Sequence, residues 1–113
     1  MTEACCKTFI ASTDIPQYAR VKVLSTGKVG LAAAGDEEHG IAERAVLADE
    51  AVAVRLRNSI GTGIAIAKVA IAVGDDIYGD ASGKVGKTNT NAVVGVALSA
   101  ASADGDYIEF LRS

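Results

Sequence analysis

The sequence contains two related halves. Gly27-Lys28-Val29-Gly30 recurs as Gly83-Lys84-Val85-Gly86, and Gly40-Ile41-Ala42 recurs as Gly95-Val96-Ala97. The further identities are Ala45/Ala100, Ala48/Ala103, Asp49/Asp104, Leu56/Leu111 and Arg57/Arg112. A period of about 55 residues in two copies does not fit a solenoid, which needs more repeats to bury its core. The pattern predicts a small domain built from two similar β-units, neither of which closes its core alone.

The composition indicates a thin core. The chain has 113 residues, enough for one domain; 50% are hydrophobic, but 4% are aromatic and there is no tryptophan. Much of the apolar content is alanine, whose burial gains far less than the roughly 1.5–3 kcal/mol of a buried leucine or isoleucine. We therefore expect burial between subunits to supply part of the stability.

Charge and hydropathy argue against two classes of partner. The net charge is −3, and lysine and arginine are scattered, so we expect no nucleic-acid binding. The longest apolar stretch, residues 61–73, is interrupted by Lys68 and is shorter than the roughly 18 residues of a membrane span. Residues 1–7 lack the pattern of a signal peptide, so we expect synthesis and use without secretion.

Short alternating segments separated by turn residues predict an all-β fold. Residues 18–24 and 51–57 alternate in hydrophobicity, and residues 61–73 are rich in isoleucine and valine. Residues 36–57 favour a helix locally, but their repeat counterpart is β-rich, so we predict strands there with at most one helical turn at 43–48. The expected fold is a small barrel or sandwich of short antiparallel strands.

We expect a division into an N-terminal arm and one β domain. The arm is polar, ends at the single proline, Pro16, and carries one short strand over residues 7–10. The predicted boundaries are 1–16 for the extended arm, 17–113 for the β domain, and about 18–57 and 70–113 for the two pseudo-repeats.

The apparent reactive motifs each have a structural explanation. Residues 81–88 approximate a phosphate-binding loop, but no helix follows, so a hairpin turn is predicted. Asp75-Asp76 and Asp104-Gly105-Asp106 offer too few oxygens for calcium and suit turns. His39 lies in an acidic loop without a nucleophile and is expected to be solvated. We predict no catalytic residues, no cofactor and no metal site.

The two cysteines are adjacent, at positions 5 and 6. Neighbouring cysteines rarely satisfy disulfide geometry with each other. Two thiols and one histidine also fall short of a zinc site. Free thiols are the main expectation for Cys5 and Cys6, and a bridge between subunits is the alternative.

Several motifs together resemble the tailed-phage capsid cement, or head decoration, proteins. The residues that carry the resemblance are 70–78, 83–85, 94–98 and 100–111. They are similar to that family's progression of Gly-Asp-x-aliphatic-Tyr, Gly-Lys-Val and aliphatic-Gly-Val-Ala-Leu before a final strand. The resemblance covers roughly residues 18–113. The acidic stretch 36–50 and the Cys-Cys arm depart from the pattern.

The resemblance implies a structural virion protein without enzymatic activity. Such proteins form homotrimers on the outer capsid surface and stabilise contacts between major capsid subunits. The implied partners are the major capsid protein and further copies of the chain, and the implied location is the virion, after synthesis in the host cytoplasm. Thr8, Phe9 and Ile10 on the arm are the candidate capsid contacts, and the sequence assigns no residue to the trimer interface.

Two other functions stay open at this point. A carrier-type or ligand-binding β-barrel would also be small, acidic and duplicated, with a lysine presented alone at a hairpin tip. Lys28 and Lys84 lie at predicted turns, but each is followed by Val-Gly. A nucleotide hydrolase would depend on residues 81–88 alone.

Overall fold

The computed structural model describes residues 6–36, 38–57 and 62–112, and it is all-β, as predicted. The strands within these ranges are β1 (Cys6–Ile10), β2 (Arg20–Val23), β3 (Val29–Leu31), β4 (Gly40–Ala42), β5 (Ala51–Leu56), β6 (Thr62–Ile66), β7 (Asp76–Gly79), β8 (Val85–Gly86), β9 (Val93–Ala97) and β10 (Tyr107–Arg112). Among the described residues, no helix is long and apolar enough to span a membrane.

The two halves of the chain share one topology. The strand order is β1-β5-β4-β2-β3 in one five-stranded sheet and β6-β10-β9-β7-β8 in the other, so each strand has a counterpart five strands later. A parallel bridge from Ala11 to Val29 joins the two edges of the first sheet, and a bridge from Ala67 to Val85 does the same in the second. Each sheet therefore curls into a small unit, called here the first barrel (β1–β5) and the second barrel (β6–β10).

Each barrel has its own core, and the two cores exchange one side chain. The first core contains Ile15, Val21 and Val29, and the second contains their counterparts Ile71, Ile77 and Val85. Ile66 of β6 packs in the first core, whereas Ile41 of β4 packs in the second. The barrels are thus fastened by apolar burial in both directions.

Matching turns in the two barrels place the same positions in left-handed backbone. Gly27 (φ 89°) corresponds to Gly83 (φ 73°), and Tyr18 (φ 68°) corresponds to Gly74 (φ 90°). The backbone N–H of Tyr18 donates to Ala42 at 2.8 Å, as Gly74 does to its own counterpart carbonyl. Left-handed φ costs a side-chain-bearing residue roughly 1–2 kcal/mol, so Tyr18 holds strain that its counterpart glycine avoids.

The predicted N-terminal arm is wrong over residues 6–16. β1 pairs antiparallel with β5 along its whole length, and Ala11 and Ile15 lie fully inside the first core. Because the barrel closes through Ala11, this segment is one wall of the first barrel and not an appendage. The pseudo-repeats accordingly begin at β1 and β6, earlier than the predicted positions 18 and 70. Residues 1–5 of the arm lie outside the described part of the chain.

The identities in the sequence align the last strands of the two repeats one residue out of step with the structure. Leu56 pairs with Gly40, and Arg112 pairs with Gly95, so Leu56 corresponds to Arg112 and not to Leu111. The extra residue is Ser102, which lengthens the turn before β10. In β-structure a one-residue slip moves every side chain to the opposite face, and only the structural register places the buried positions of β5 and β10 together.

Two smaller expectations also differ from the structure. Residues 43–48 contain no helical turn; they form a bend, and Val46 bridges to Ile15. Cys6, at the start of β1, is disulfide-bonded, which contradicts the expectation of free thiols. The other cysteine, Cys5, lies outside the described residues.

Candidate functional site

Arg20 is the most unusual polar residue of the fold, because its side chain is completely buried between the barrels. Its Nε donates to the carbonyl oxygen of Lys84 at 2.8 Å, and its Nη2 donates to that of Asp80 at 2.6 Å, both in the second barrel. Within the first barrel the guanidinium donates to the carbonyls of Ala33 (3.2 Å) and Asp36 (3.3 Å). One side chain thus joins the loop between β3 and β4 of the first barrel to the turn between β7 and β8 of the second, with two carbonyls as acceptors in each.

The charge of Arg20 is retained in this buried site. Burial lowers the pKa of Arg20, and the neighbouring carboxyls of Glu38, Asp80 and Asp36 act in the opposite direction. The guanidinium of an arginine is not deprotonated in proteins, so Arg20 keeps its charge although burial lowers its pKa. Gly79 lets the guanidinium lie close to the backbone, since a Cβ there would be 2.9 Å from Nη1.

A cleft of about 220 Å³ lies at the junction of the barrels. Tyr18 meets Tyr107 beside it in an edge-to-face contact, with the ring centroids 5.2 Å apart. This contact was not predicted, because the two tyrosines are far apart in sequence. The hydroxyl of Thr62 donates to Glu109 at 2.7 Å. The residues that line the cleft are Tyr18, Glu43, Arg55, Thr62, Gly63, Ile64 and Glu109. None of these lining residues is a cysteine, histidine or serine.

The phosphate-loop-like motif is a hairpin turn, as predicted. Residues Ala81–Gly83 form a single 3-10 turn between β7 and β8, and the chain is extended again at Lys84. The Nζ of Lys84 donates to Asp104 at 2.7 Å, and Lys28 contacts Asp49 at 3.2 Å. Both lysines therefore hold ion pairs with neighbouring turns, and neither is presented alone as a carrier domain requires.

The acidic motifs organise turns. Asp75 accepts the backbone N–H of Ala72 at 2.9 Å, and Asp106 accepts that of Ser102 at 2.9 Å. His39 is exposed, and its Nδ1 accepts the backbone N–H of Val23 at 2.8 Å. Within the described ranges, no group of three or more histidine, cysteine, aspartate or glutamate side chains is placed to hold a metal ion.

These turn contacts predict a loss of stability in acid. Hydrogen bonds from the Lys22 side chain and the Ala33 amide lower the pKa of Asp36. Hydrogen bonds from the Ala72 amide and the Lys87 side chain lower the pKa of Asp75 in the same way. Lys84 lowers the pKa of Asp104, and Ser102 lowers the pKa of Asp106. A carboxyl with a lowered folded pKa stabilises the fold above its unfolded pKa of about 4 and loses that contribution as pH falls through the folded value.

We therefore expect the melting temperature to decline as the pH falls below about 4, which thermal unfolding between pH 7 and pH 2 would measure. Asp106→Asn should melt lower than the wild type at pH 7 and lose less on acidification, because one titrating group is gone. An equal acid-induced loss in both proteins would contradict the assignment to Asp106.

The predicted capsid contacts occupy two sides of β1. Thr8 and Ile10 are exposed, whereas Phe9 is half-buried and packs against the first core. Phe9 pairs with Val52 across the sheet, which explains its inward direction. The structure thus leaves Thr8 and Ile10 accessible and gives Phe9 a role in packing.

The family model described as phage cement protein matches residues 7–112, which include both barrels and the buried Arg20. The chain belongs to the phage cement protein family. Members of this family are structural components of the phage virion, and the two-barrel architecture is therefore a cement-protein fold. Among curated proteins no sequence matches the chain.

A solved structure supports the fold independently. The chain is similar to the N base of head fiber gp8.5 of bacteriophage phi29, with a TM-score of 0.80 and 20% sequence identity. The match covers 96% of this chain and 92% of the phi29 chain. At this identity the likeness establishes a shared fold over the matched length of the cement protein.

Proposed function

We propose that this cement protein binds the outer surface of a phage capsid as a homotrimer and stabilises the contacts between neighbouring major capsid subunits. The observation that carries the proposal is the family match, which extends over both barrels and not over one motif. The similarity to a head fiber base of phage phi29 agrees with a position on the capsid exterior. After synthesis in the host cytoplasm, the protein becomes part of the virion.

The physical basis is the sum of several modest contacts on a symmetric lattice. A standard protein interface buries on the order of 1,600 Å². Three linked copies that bind together gain avidity, since the second and third contacts form at a high effective concentration. A net charge of −3 suits a surface that is kept away from the packaged DNA.

The proposal is tested by adding the purified protein to capsids that lack it. We expect the protein to sediment with the capsids at saturable stoichiometry and to raise the temperature at which they release DNA. A protein that stays in the supernatant at tens of micromolar, with capsids whose stability is unchanged, would refute the proposal.

The contact of β1 with the capsid stays a prediction, and we propose Thr8 as the residue of β1 that makes this contact. This residue is exposed on the outer face of an edge strand, where a partner can approach. Thr8→Asp should weaken capsid binding by about tenfold or more, since a buried unpaired charge at the contact costs over 1.4 kcal/mol. Thr13→Asp is the matched control, because Thr13 is also exposed but lies beyond the strand. Equal affinity of the two variants would exclude Thr8 from the contact.

A further inference from the structure

The outer face of the second barrel carries a continuous apolar surface. Ile64 of β6 pairs with Glu109 of β10, and the N–H of Leu98, just after β9, donates to the Glu109 carbonyl at 2.8 Å. In the next row of the sheet, Leu111 pairs with Val96. Residues directly opposite each other point to the same side of a sheet, so these five side chains form one surface, called here the second outer face. Ile64, Leu98 and Leu111 are 38%, 43% and 51% exposed.

The first barrel has the same topology without this apolar surface. The counterparts of the three exposed apolar residues are all polar: Thr8 for Ile64, Glu43 for Leu98 and Arg55 for Leu111. The N–H of Glu43 donates to Ala53 at 2.9 Å, just as that of Leu98 donates to Glu109, so the two registers agree. The strands therefore do not need apolar residues at these positions, and a partner that covers the second outer face explains them.

A carboxylate lies in the middle of this surface and decides which partner fits. Glu109 has Ile64 on one side and Leu98 on the other. Within the described ranges its carboxylate accepts one hydrogen bond, from the Thr62 hydroxyl at 2.7 Å, and joins no ion pair. Any partner that covers the surface removes water from this charge, and a buried carboxylate is costly unless a cation pairs with it. The partner therefore carries a lysine or arginine between apolar groups.

The cleft at the junction of the barrels adjoins the second outer face and adds to its negative charge. Ile64 and Glu109 line the cleft from the second barrel, and Glu43 and Arg55 line it from the first. Two carboxylates and one guanidinium leave this lining with a net negative charge. The cleft volume of about 220 Å³ is below the roughly 300–1,000 Å³ of small-molecule pockets, so it suits a single side chain of a partner.

We propose that the second outer face docks an apolar segment of the major capsid protein, with a lysine or arginine of that segment between Glu109 and Glu43. The inference deepens the proposed function and rests on it for the identity of the partner. A second copy that docks through the same face fits poorly, because the two Glu109 carboxylates would oppose each other. Thr8 shares the outer face of the first barrel with Arg55, so a capsid segment that crosses the cleft reaches it as well.

The first test exchanges the chemistry of the two outer faces. The exchange variant gives the second barrel the residues that the first barrel carries: Ile64→Thr, Leu98→Glu and Leu111→Arg. The control variant makes the same changes at exposed apolar residues in loops: Leu47→Thr, Val69→Glu and Val73→Arg. Because the equivalent strands already carry these residues, we expect the exchange variant to melt within about 5 °C of the wild type. It should bind capsids at least about 100-fold more weakly in the sedimentation assay, whereas the control should bind like the wild type.

The second test changes only the charge of Glu109. Glu109→Gln keeps the size of the side chain and an oxygen that can accept from Thr62, so the fold stays intact. It should weaken capsid binding by about tenfold, and Glu109→Lys should weaken it further, because a second cation repels the basic group of the partner. Wild-type affinity in Glu109→Gln would overturn the basic partner, and this variant decides the matter if the exchange variant melts far below the wild type.

The outcomes separate this inference from the proposed function. A wild type that stays in the supernatant would refute both. A wild type that binds, with an exchange variant that binds equally well, would refute the inference alone. An exchange variant that keeps its capsid affinity but has a lower mass than the wild type in light scattering would show that the second outer face joins copies of the chain, which also overturns the inference.

Discussion

Replacing Arg20 by methionine should destabilise the protein by about 3–5 kcal/mol, the cost of breaking a buried, hydrogen-bonded charge site by removing one partner. The guanidinium is fully buried, and four backbone carbonyls accept its hydrogen bonds. Methionine fills most of the volume but leaves those carbonyls without this donor in an environment where water enters poorly. Urea denaturation followed by circular dichroism measures the loss as a lower unfolding midpoint.

Lys22→Met is the control for this prediction. Lys22 lies two residues along the same strand, and its Nζ contacts Asp36 at 2.7 Å, but its side chain is 36% exposed. A partly exposed ion pair of this kind contributes little to the free energy of unfolding, because solvent screens it. Arg20→Lys should fall between the two variants, because lysine keeps the charge but not the planar fork that reaches several carbonyls at once. Similar losses for Arg20→Met and Lys22→Met would contradict the role assigned to Arg20.

The buried state of Arg20 could not be predicted from the alternation of β2. Arg20 and Lys22 share one face of the strand, and the charge of both residues favours a solvated face. That face is covered at Arg20 because the second barrel packs on it, and Lys22 lies beyond the covered area. A period-2 pattern reports on the core of a strand's own sheet, so it cannot show that a second unit buries the other face.

The internal repeat predicted most of the fold but not its first strand. The shared Gly-Lys-Val-Gly turns and Gly-aliphatic-Ala strands are equivalent in space, and both barrels have the same strand order. Three identities in the segment assigned to an arm, Ile10/Ile66, Ala11/Ala67 and Ile15/Ile71, carried the missing signal. They are spread through polar residues before a proline, and their importance becomes visible only once Ala11 and Ala67 are seen to close the barrels.

Matching identical residues also could not locate the one-residue insertion in the second repeat. An alignment by identity pairs Leu56 with Leu111 and omits Ser102, because it counts matches without regard to which face each residue occupies. Burial decides the register: Val52 and Val54 correspond to Ile108 and Phe110, and all four side chains are at most 1% exposed. Hydrophobic alternation in the two strands, considered before identity, would have found the displacement.

The second large effect is expected at Gly83, where an added methyl group would meet the backbone of the other barrel. Gly83→Ala should cost about 3 kcal/mol: roughly 1–2 for a side chain in left-handed backbone, and the rest for overpacking. The new Cβ would lie 2.9 Å from the carbonyl oxygen of Arg20 and 3.1 Å from both Ala19 Cβ and Leu31 Cδ2. Urea denaturation again provides the measurement.

Gly105→Ala separates the two contributions, because Gly105 has φ 95° and no atom near its Cβ position. It should lose only the roughly 1–2 kcal/mol of the backbone term. The new methyl group at position 83 would push against the carbonyl oxygen of Arg20, which accepts the N–H of Ala32 at 3.0 Å. This carbonyl lies on the side of the first barrel where the Arg20 guanidinium bonds to the second barrel. Gly83→Ala and Arg20→Met therefore weaken one contact between the barrels, and their combined loss should be smaller than the sum of the single losses. Strict additivity, or equal losses at Gly83 and Gly105, would show that the barrels do not meet at Gly83 as tightly as the structure places them.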